Sequence, residues 1–515
     1  MSAAKVIFRN AFFSYGRTLI AAGLTLFSSR WILADLGASD FGLYGLVGGV
    51  LAFVSLIAGV LNQGSNRFMA YASGSEDACD VRRWFNASAN IYFCLPLVLL
   101  PAGWLLGDIF IKHVLKIPPG RIGVSLWIVR FTLLSLAVTL LSMPYQSLLI
   151  ARQYIHLYSA VTLCQSIGAF VIALTLPHFP GDHLFVYAAL MATSIILMQL
   201  VFVGVCRCVC PEGRIRFSDW WQWGRMRRLA IYSGWMFVGS LGMLVREQGL
   251  NVIVNWMRGT AANAGRSIGH QLGAQTETLY NAFAMALNPE ITRREGAGAH
   301  NQMLDLAKRS ERFGIIIMLL VGLPLFCECE YVLTLWLRNP PPYAVFFTRI
   351  QILIAILCKM RIGHMMCFQA IGKAKPQQLV DFCFYTLTAV VVGIVYYLTR
   401  SLECSFVGFV FFQVFYMVVY VAVGARYFEW PLRTLLKEIV VPSTLLFVLG
   451  FGLFSACECV WAIPSFVRLV ATTAILCLFI SIGASVLILK QEDRVGLVKL
   501  LSNVRARLAV GLKKI

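Results

Sequence analysis

Charged residues are scarce in this chain. Only 13% of its 515 residues are Asp, Glu, Lys or Arg, and 59% are hydrophobic. Soluble domains ordinarily carry about 25% charged residues. The segments between the apolar stretches are too short to form a soluble domain. The composition therefore excludes a soluble globular protein and predicts a polytopic membrane protein.

Motifs for covalent chemistry are lacking as well. The sequence contains no Gly-rich phosphate loop, no paired-Asp metal motif and no nucleophile elbow. No catalytic residue and no metal site are therefore predicted, and we do not expect an enzyme.

Apolar segments recur along nearly the whole chain. A bilayer core about 30 Å thick requires ~20 mostly apolar residues per helix, so these segments predict an all-α fold with about 14 transmembrane helices. The predicted spans are residues 10–33, 41–61, 91–106, 124–150, 155–176, 184–206, 229–256, 262–287, 313–327, 343–371, 379–398, 404–423, 439–460 and 466–489.

Basic residues between the spans predict the orientation. If the N-terminus is cytoplasmic, the inner segments hold 29 of the 44 basic residues and the outer loops hold six. Positive residues are retained on the cytoplasmic side, so both termini are predicted to be cytoplasmic. Contact with anionic lipid headgroups accounts for the net charge of +20. Membrane lipids are thus expected partners, and nucleic acid is not.

The other nine basic residues lie inside the predicted spans. An Arg at the bilayer centre costs roughly 2.5–3.5 kcal/mol, so such residues usually face the bundle interior or a water-filled cavity. A cationic interior predicts an anionic cargo. For Arg17, Arg30, Arg130 and Arg468, extension of the guanidinium to a nearby membrane interface explains the position equally well. The nine are Arg17, Arg30, Arg130, Arg246, Arg266, Arg349, Lys359, Arg361 and Arg468.

Span 229–256 carries a polar stripe. Glu247, Asn251 and Asn255 recur at four-residue spacing and share one helix face, with Arg246 and Gln248 beside it. Lipid cannot satisfy these groups, so protein or water must lie opposite them. Two interpretations stay open: the stripe lines a cavity, or Arg246 and Glu247 form a structural ion pair between helices.

Two further spans carry polar residues. Arg266, His270, Glu277 and Asn281 lie along one stripe of span 262–287, where His270 is either a proton shuttle or a structural histidine. In span 343–371, Lys359 and Arg361 project from different sides of the predicted helix. We therefore expect one of these two to face the cavity.

An internal repeat predicts two lobes. Residues 61–67 and 287–293 both read L-N-x-x-x-x-R, and a Gln precedes a short basic turn at Gln146 and at Gln369. The predicted organisation is an N-lobe of six helices (1–206), a cytoplasmic linker (207–228), a C-lobe of six helices (229–430), and two last helices with a basic tail (431–515). Pseudo-twofold symmetry about an axis along the membrane normal relates the two lobes.

The linker contains two unusual patterns. Trp220, Trp221 and Trp223 are interleaved with arginines, which is typical of a segment in the headgroup plane. A C-x-C-x-C at residues 206–210 has no His or acidic cluster beside it. Its cysteines Cys206, Cys208 and Cys210 are interpreted as small buried hydrophobic residues, with metal binding as the alternative.

Several segments together resemble a known family. Asn10 and Arg30 in the first span, L-G-A-S-D-F-G-L-Y-G at 36–45, Arg67, A-M-A-L-N-P-E-I-T-R-R at 284–294 and residues 369–375 are similar to the polysaccharide and O-antigen flippases. These flippases belong to the multidrug, oligosaccharidyl-lipid and polysaccharide exporter (MOP) superfamily.

The resemblance implies a function. It implies movement of an undecaprenyl-diphosphate-linked oligosaccharide from the inner to the outer leaflet of the bacterial cytoplasmic membrane, for surface polysaccharide biosynthesis. The lobes would rock around a central cavity in alternating access. Other polysaccharide assembly proteins would be partners, and no cofactor is expected. Independently of the resemblance, Glu247, His270 and Glu277 could couple the cycle to a proton or sodium ion, but a passive carrier would have the same residues. The resemblance also places Arg30 near the cavity.

Two other functions stay open. A multidrug or cation antiporter of the same superfamily would need carboxylates in its cavity, but the nine basic residues outnumber Glu247, Glu277 and Asp381. A membrane glycan polymerase or ligase would expose an outer catalytic domain, and the predicted outer loops are short. The candidate substrate-binding residues are Arg30, Arg246, Glu247, Gln248, Asn251, Asn255, Arg266, His270, Glu277, Lys359 and Arg361.

Overall fold

The computed structural model describes scattered positions within residues 10–44 and then 52–74, 78–109, 111, 119–215, 220–461 and 463–495. Helices account for almost all of these residues, and no strand occurs among them. The all-α prediction is confirmed. Much of the first predicted span and the start of the second, including Arg30, lie outside the described residues.

The described residues contain ten helices that are long and apolar enough to cross a membrane. This confirms a multi-pass membrane protein. Residues 262–287, predicted as a span, are helical but are not among the ten, because Arg266, His270 and Glu277 make this stretch polar.

The chain folds into two compact units, and each unit is discontinuous in sequence. Unit 1 comprises Met1–Ser240, Ala282–Met303 and Gln369–Lys375. Unit 2 comprises Leu241–Asn281, Leu304–Phe368 and Pro376–Ile515.

Among the described residues, unit 1 contains five complete α-helices. They are α1 (Ala52–Gly74), α2 (Ala78–Ile109), α3 (Ile122–Ala151), α4 (Ile155–Thr175) and α5 (His183–Val209). Phe85, Leu148 and Cys206 are buried together in one of its hydrophobic clusters. Mostly apolar side chains also cover the outer faces of these helices, as lipid contact requires.

The arginine of the repeat motif makes a specific contact within unit 1. Arg67 Nε donates a hydrogen bond to the carbonyl oxygen of Gln369 at 2.7 Å, and Nη2 donates to that of Ala370 at 3.0 Å. Gly372, just beyond, has φ +77°, and a Cβ there would collide with the Arg67 guanidinium. Two segments of the predicted family pattern therefore touch each other.

The longest helical stretch, α6 (Trp223–Gly296), consists of two helical arms joined at a sharp kink at Gly259. Gly259 has φ 79° and ψ −173°, a backbone conformation reserved essentially for glycine. The two arms therefore fold back on each other, and Arg266 in the second arm reaches Glu247 in the first. Residues 241–281 around the kink belong to unit 2, and both ends of α6 belong to unit 1.

The remaining helices lie largely in unit 2. They are α7 (His300–Cys327), α8 (Cys329–Leu337), α9 (Ala344–Lys359), α10 (Ile362–Ile371), α11 (Ala374–Thr399), α12 (Leu402–Gly424), α13 (Val441–Val460) and α14 (Phe466–Leu487). A π-helical segment, Leu436–Val440, leads into α13. Phe347, Phe406 and Phe409 are buried in a cluster with residues from the first arm of α6.

The predicted span 343–371 is not one helix. It is α9 and α10, separated by a turn at Met360 and Arg361. Gly363 at the start of α10 packs so closely on α7 that a Cβ would lie 2.7 Å from the Ala307 carbonyl oxygen. The turn points the neighbouring cations, Lys359 and Arg361, at different partners.

Candidate functional site

The two arms of α6 bring oppositely charged side chains together in unit 2. Arg266 Nη2 donates to the Glu247 carbonyl oxygen at 2.8 Å, and Nη1 lies 3.3 Å from the Glu247 carboxylate. Arg266 Nε and Nη2 also donate to Asn251 Oδ1, at 3.1 and 2.7 Å. One guanidinium thus bonds to two of the three residues in the polar stripe that the sequence predicted on the first arm, Glu247 and Asn251.

A second guanidinium holds the same carboxylate from its other side. Arg246 Nε and Nη2 donate to Glu247 Oε1 at 3.1 and 2.8 Å. The Arg246 guanidinium also lies over the ring of Tyr385, 4.7 Å from its centroid. Arg246 and Arg266 are each only 7% exposed. Both guanidinium groups are therefore buried and held by partly buried partners.

His270 completes the group, which we call the Glu247 cluster: Arg246, Glu247, Asn251, Arg266 and His270. His270 Nε2 lies 3.7 Å from Glu247 Oε2, and its side chain is 42% exposed. Two guanidinium groups and one carboxylate leave the cluster with a formal charge of +1 when His270 is neutral. The cluster is therefore cationic even though its carboxylate is paired.

A small pocket adjoins the cluster. Arg246, Glu247, Arg266 and His270 line its polar side. Its other lining residues are Leu250, Phe347, Ile350, Gln351, Ile354, Phe406 and Phe409. The pocket volume is only about 10 Å³, which is room for about one water molecule. An anionic group would therefore reach the two arginines only after the pocket widens and their bonds to Glu247 and Asn251 rearrange. Such a pairing of Arg with phosphate or carboxylate is short and directional.

Two predicted residues of the first arm lie outside this pocket. Gln248 is exposed, and its Oε1 accepts a hydrogen bond from Asn251 Nδ2 at 3.3 Å. Asn255 is exposed and is not among the pocket residues.

Lys359 and Glu277 form a separate pair in unit 2. Lys359 Nζ donates to Glu277 Oε2 at 2.7 Å and lies 4.5 Å from the centroid of the Tyr280 ring. Lys359 is 5% exposed. The predicted stripe on the second arm is thus shared between two sites: Arg266 and His270 contact Glu247, whereas Glu277 contacts Lys359.

Arg361 is surrounded mainly by aromatic rings. Its guanidinium lies 4.2 Å from the ring centroids of both Tyr416 and Tyr420. Asp381 is 4.0 Å away and accepts a hydrogen bond from the Tyr416 hydroxyl. Cation–π contact of this kind stabilises a desolvated guanidinium by ~2 kcal/mol.

Four further cations of the predicted spans also have protein partners in the described part of the chain. Arg468 Nη2 donates to Glu328 at 2.8 Å, and Arg349 Nε donates to the Phe326 carbonyl oxygen at 3.2 Å. Arg130 lies over Trp104 and Trp127. Arg17 donates to Thr162 at 3.3 Å.

Sequence reasoning missed the aromatic partners. Tyr416 and Tyr420 are four residues apart and therefore share one helix face. This spacing could have indicated an aromatic face able to contact a buried cation. Tyr385 and Tyr280 come from other helices, so their contacts with Arg246 and Lys359 depend on the tertiary structure. Likewise missed was a buried pair between His364 and Glu311, whose facing atoms are 3.6 Å apart.

Comparison with known proteins identifies the fold. No family model and no curated protein matches the sequence. Among solved structures, a MATE protein in complex with MaL6 is similar with a TM-score of 0.72 and 12% identity, over 83% of this chain and 96% of that chain. An outward-facing multidrug resistance MATE family transporter of the MOP superfamily gives 0.72 and 13%, over the same shares.

A third similar structure has an unusual binding pocket. It is a MOP superfamily transporter from Pyrococcus furiosus, for which a reverse polarity of the binding pocket suggests a different function; its TM-score is 0.70 and its identity 12%, over 83% of this chain and 96% of that chain. At these identities the similarity concerns architecture alone. The chain therefore has the fold of the MATE transporters of the MOP superfamily.

Proposed function

We propose that this protein is a transporter that flips an undecaprenyl-diphosphate-linked oligosaccharide from the inner to the outer leaflet of the bacterial cytoplasmic membrane. It works by alternating access and serves surface polysaccharide biosynthesis. The observation that carries this proposal is the Glu247 cluster, in which two arginines converge on a pocket within the membrane-spanning part of unit 2. A diphosphate crossing a low-dielectric region needs such fixed positive partners.

Glu247 has a positioning role in this mechanism. Two guanidinium groups side by side repel each other in a low-dielectric environment. Because Glu247 bonds to both, it keeps them in place before the cargo arrives. The cluster retains a formal charge of +1, so it still attracts an anion, and the oligosaccharide can bond to neighbouring polar groups such as Gln351 and Asn251.

A proton or sodium ion is proposed to drive the cycle through the same cluster. His270 faces the Glu247 carboxylate and is partly exposed, so a proton can reach it. Other polysaccharide assembly proteins are proposed to receive the cargo in the outer leaflet.

A multidrug antiporter is the second candidate because a multidrug resistance MATE transporter shares the fold. The charge of the Glu247 cluster opposes a cationic drug, because its carboxylate is already held by two guanidinium groups. Loss of glycan export changes the lipid-linked glycans of the cell, whereas loss of drug extrusion changes its drug sensitivity. One gene deletion therefore distinguishes the two functions.

The test is deletion of the gene followed by analysis of polyprenyl-diphosphate glycans. A flippase mutant accumulates complete lipid-linked units in the inner leaflet, whereas loss of a polymerase leaves single units in the outer leaflet. Unchanged glycans combined with increased drug sensitivity would refute the flippase proposal and favour the antiporter.

Complementation then tests the cluster itself. We expect Arg246→Ala to abolish export while the protein still inserts in the membrane, and Arg246→Lys to restore export only in part because an ammonium lacks the planar fork. Arg258→Ala is the matched control, since Arg258 lies on the same arm of α6 but is exposed. Normal export by a well-expressed Arg246→Ala protein would remove the cluster from the mechanism.

A further inference from the structure

Unit 1 contains a second cavity, of about 690 Å³. It lies where the end of α1, the start of α2 and the start of α6 meet. Its lining residues are Arg67, Phe68, Tyr71, Asp80, Trp84, Gln222, Trp223, Gly224, Arg225 and Arg228. Positive-inside orientation predicts that this end of the helices is cytoplasmic. None of these lining residues belongs to the Glu247 cluster, which lies in unit 2.

Aromatic stacking fixes two of the three arginines in this cavity. Phe68 and Trp84 stack with centroids 4.3 Å apart and an interplanar angle of 13°. The Arg67 guanidinium lies 4.6 Å from the Phe68 ring, and that of Arg225 lies 5.1 Å from the Trp84 ring. Two arginine side chains thus pack against one aromatic pair. They are held in place before an anion binds, so binding would not have to restrict their conformations.

The described lining residues are predominantly positive. Asp80 is their one carboxylate, and Arg225 Nη1 donates to it at 2.6 Å. Three guanidinium groups and one carboxylate leave a formal charge of +2. Arg67 is further held by the two backbone carbonyls of Gln369 and Ala370. The exposed Arg228 adds a third cation at the opening.

We propose that this cavity is a binding site for a phosphate group carried by an amphiphilic molecule at the inner membrane surface. Arginine is suited to phosphate because its guanidinium carries five N–H donors. Arg67 bonds the two carbonyls through Nε and Nη2, and Arg225 bonds Asp80 through Nη1, so the remaining nitrogens of both can donate to phosphate oxygens. The rings of Tyr71 and Trp223 border the same cavity and offer apolar surface to the glycerol or sugar next to the phosphate. Its volume is within the usual range of small-molecule sites, about 300–1,000 Å³.

The site does not depend on the proposed cargo. An anionic phospholipid such as phosphatidic acid and a lipid diphosphate present the same chemistry, and free pyrophosphate presents the charge without the apolar part. Binding to unit 1 can therefore be measured even if the transport activity differs from the one proposed.

Isothermal titration calorimetry on the purified full-length protein in neutral detergent tests the site. The probes are dihexanoyl phosphatidic acid, dihexanoyl phosphatidylcholine, pyrophosphate and inorganic phosphate. We expect phosphatidic acid to bind at about one molecule per chain and phosphatidylcholine to bind at least tenfold more weakly. Binding of pyrophosphate as tight as that of phosphatidic acid would identify a free phosphate compound as the ligand, with the same arginines.

Neighbouring arginines supply a matched pair of variants. Arg228→Gln removes a cation that lines the cavity, whereas Arg227→Gln makes the same charge change at the adjacent exposed residue, which is not among the lining residues. We expect Arg228→Gln to weaken phosphatidic acid binding about tenfold, which corresponds to ~1.4 kcal/mol, since it removes a charged hydrogen bond to the phosphate. Arg227→Gln should change it less than twofold.

Two results would overturn the site. One is the absence of saturable binding by every phosphate probe. The other is equal weakening by Arg227→Gln and Arg228→Gln, because this would indicate diffuse attraction to a basic surface. Both positions are exposed, so equal unfolding temperatures should confirm that the variants remain folded.

Discussion

Arg468 on α14 is held by a buried carboxylate. Its Nε and Nη2 donate to the two oxygens of Glu328 at 3.1 and 2.8 Å, and Thr472 donates to the same carboxylate at 3.0 Å. Glu328 is 1% exposed. The sequence left two explanations open for Arg468: burial within the protein, or extension of its guanidinium to water at the membrane interface. The bonds to Glu328 support burial within the protein.

Removing one partner of this pair should be costly. We expect Arg468→Met to lower the free energy of unfolding by about 3–5 kcal/mol, because it leaves an unpaired carboxylate inside the protein. Thermal unfolding of the detergent-solubilised protein, followed by tryptophan fluorescence, measures the loss.

The double variant Arg468→Met with Glu328→Gln provides the control. It removes the charge of both partners, while the amide oxygen introduced by Glu328→Gln can still accept the bond from Thr472. We expect it to recover at least half of the stability lost by the single variant. An equal loss in both variants would mean that packing, and not the charge, determines the stability at this position.

At the scale of elements, the kink in α6 depends on a single residue. Gly259 adopts φ 79° and ψ −173°, and a side chain there would be strained whatever space surrounds it. We expect Gly259→Ala to lower the free energy of unfolding by about 1–3 kcal/mol and to weaken the contact of Arg266 with Glu247. Thermal unfolding and export in the complemented deletion strain measure the two effects.

Gly234 in the same helix is the matched control. It is exposed, a Cβ there would meet no atom within 4 Å, and its φ is not positive. Gly234→Ala should therefore be neutral or stabilise by up to ~1 kcal/mol through helix propensity. Similar destabilisation by both alanines would contradict the role of the Gly259 backbone.

The sequence predicted helices best where hydropathy alone determines them. Predicted spans 124–150, 155–176 and 404–423 agree within two residues with the helices Ile122–Ala151, Ile155–Thr175 and Leu402–Gly424. Span 91–106 captured only the apolar part of Ala78–Ile109, since the helix begins in a polar segment that hydropathy does not register.

The same method could not detect the break between α9 and α10 or the partners of the buried cations. Hydropathy is similar on both sides of Met360, and the break follows the close packing of Gly363 on α7. Four-residue spacing correctly placed Glu247 and Asn251 on one face, where both bond to Arg266. Which cation meets which acid depends on how each helix is rotated about its axis. The spacing of polar residues along the sequence therefore could not predict the pairing of Lys359 with Glu277.

At the scale of the whole molecule, unit 1 is assembled from three separate stretches of chain. Two of these stretches, 1–240 and 282–303, contact each other where the ends of α1 and α6 meet with no side chains between their backbones. A Cβ at Gly74 would collide with the Arg293 carbonyl oxygen, and a Cβ at Gly296 would collide with that of Tyr71. Backbone contact this close requires glycine on both helices.

Gly296→Ala should therefore loosen the stretch 282–303 from the rest of unit 1. We expect trypsin to cut after Arg293 or Arg294 at least several-fold faster than in the unmodified protein, as measured by mass spectrometry of timed digests. Gly224→Ala is the control because a Cβ at Gly224 meets nothing within 4 Å. Unchanged cleavage in the Gly296→Ala protein would show that the backbone can shift to accept the methyl group.

The way Arg67 bonds within unit 1 bears on how this protein can diverge. Its acceptors are the main-chain oxygens of Gln369 and Ala370, which every amino acid possesses, whereas the guanidinium and the side-chain-free position at Gly372 are not replaceable in the same way. Over evolutionary time, residue 369 can therefore change without loss of the bond, whereas the burial of Ala370 restricts that position to small side chains. Selection for the bond itself should act on residues 67 and 372.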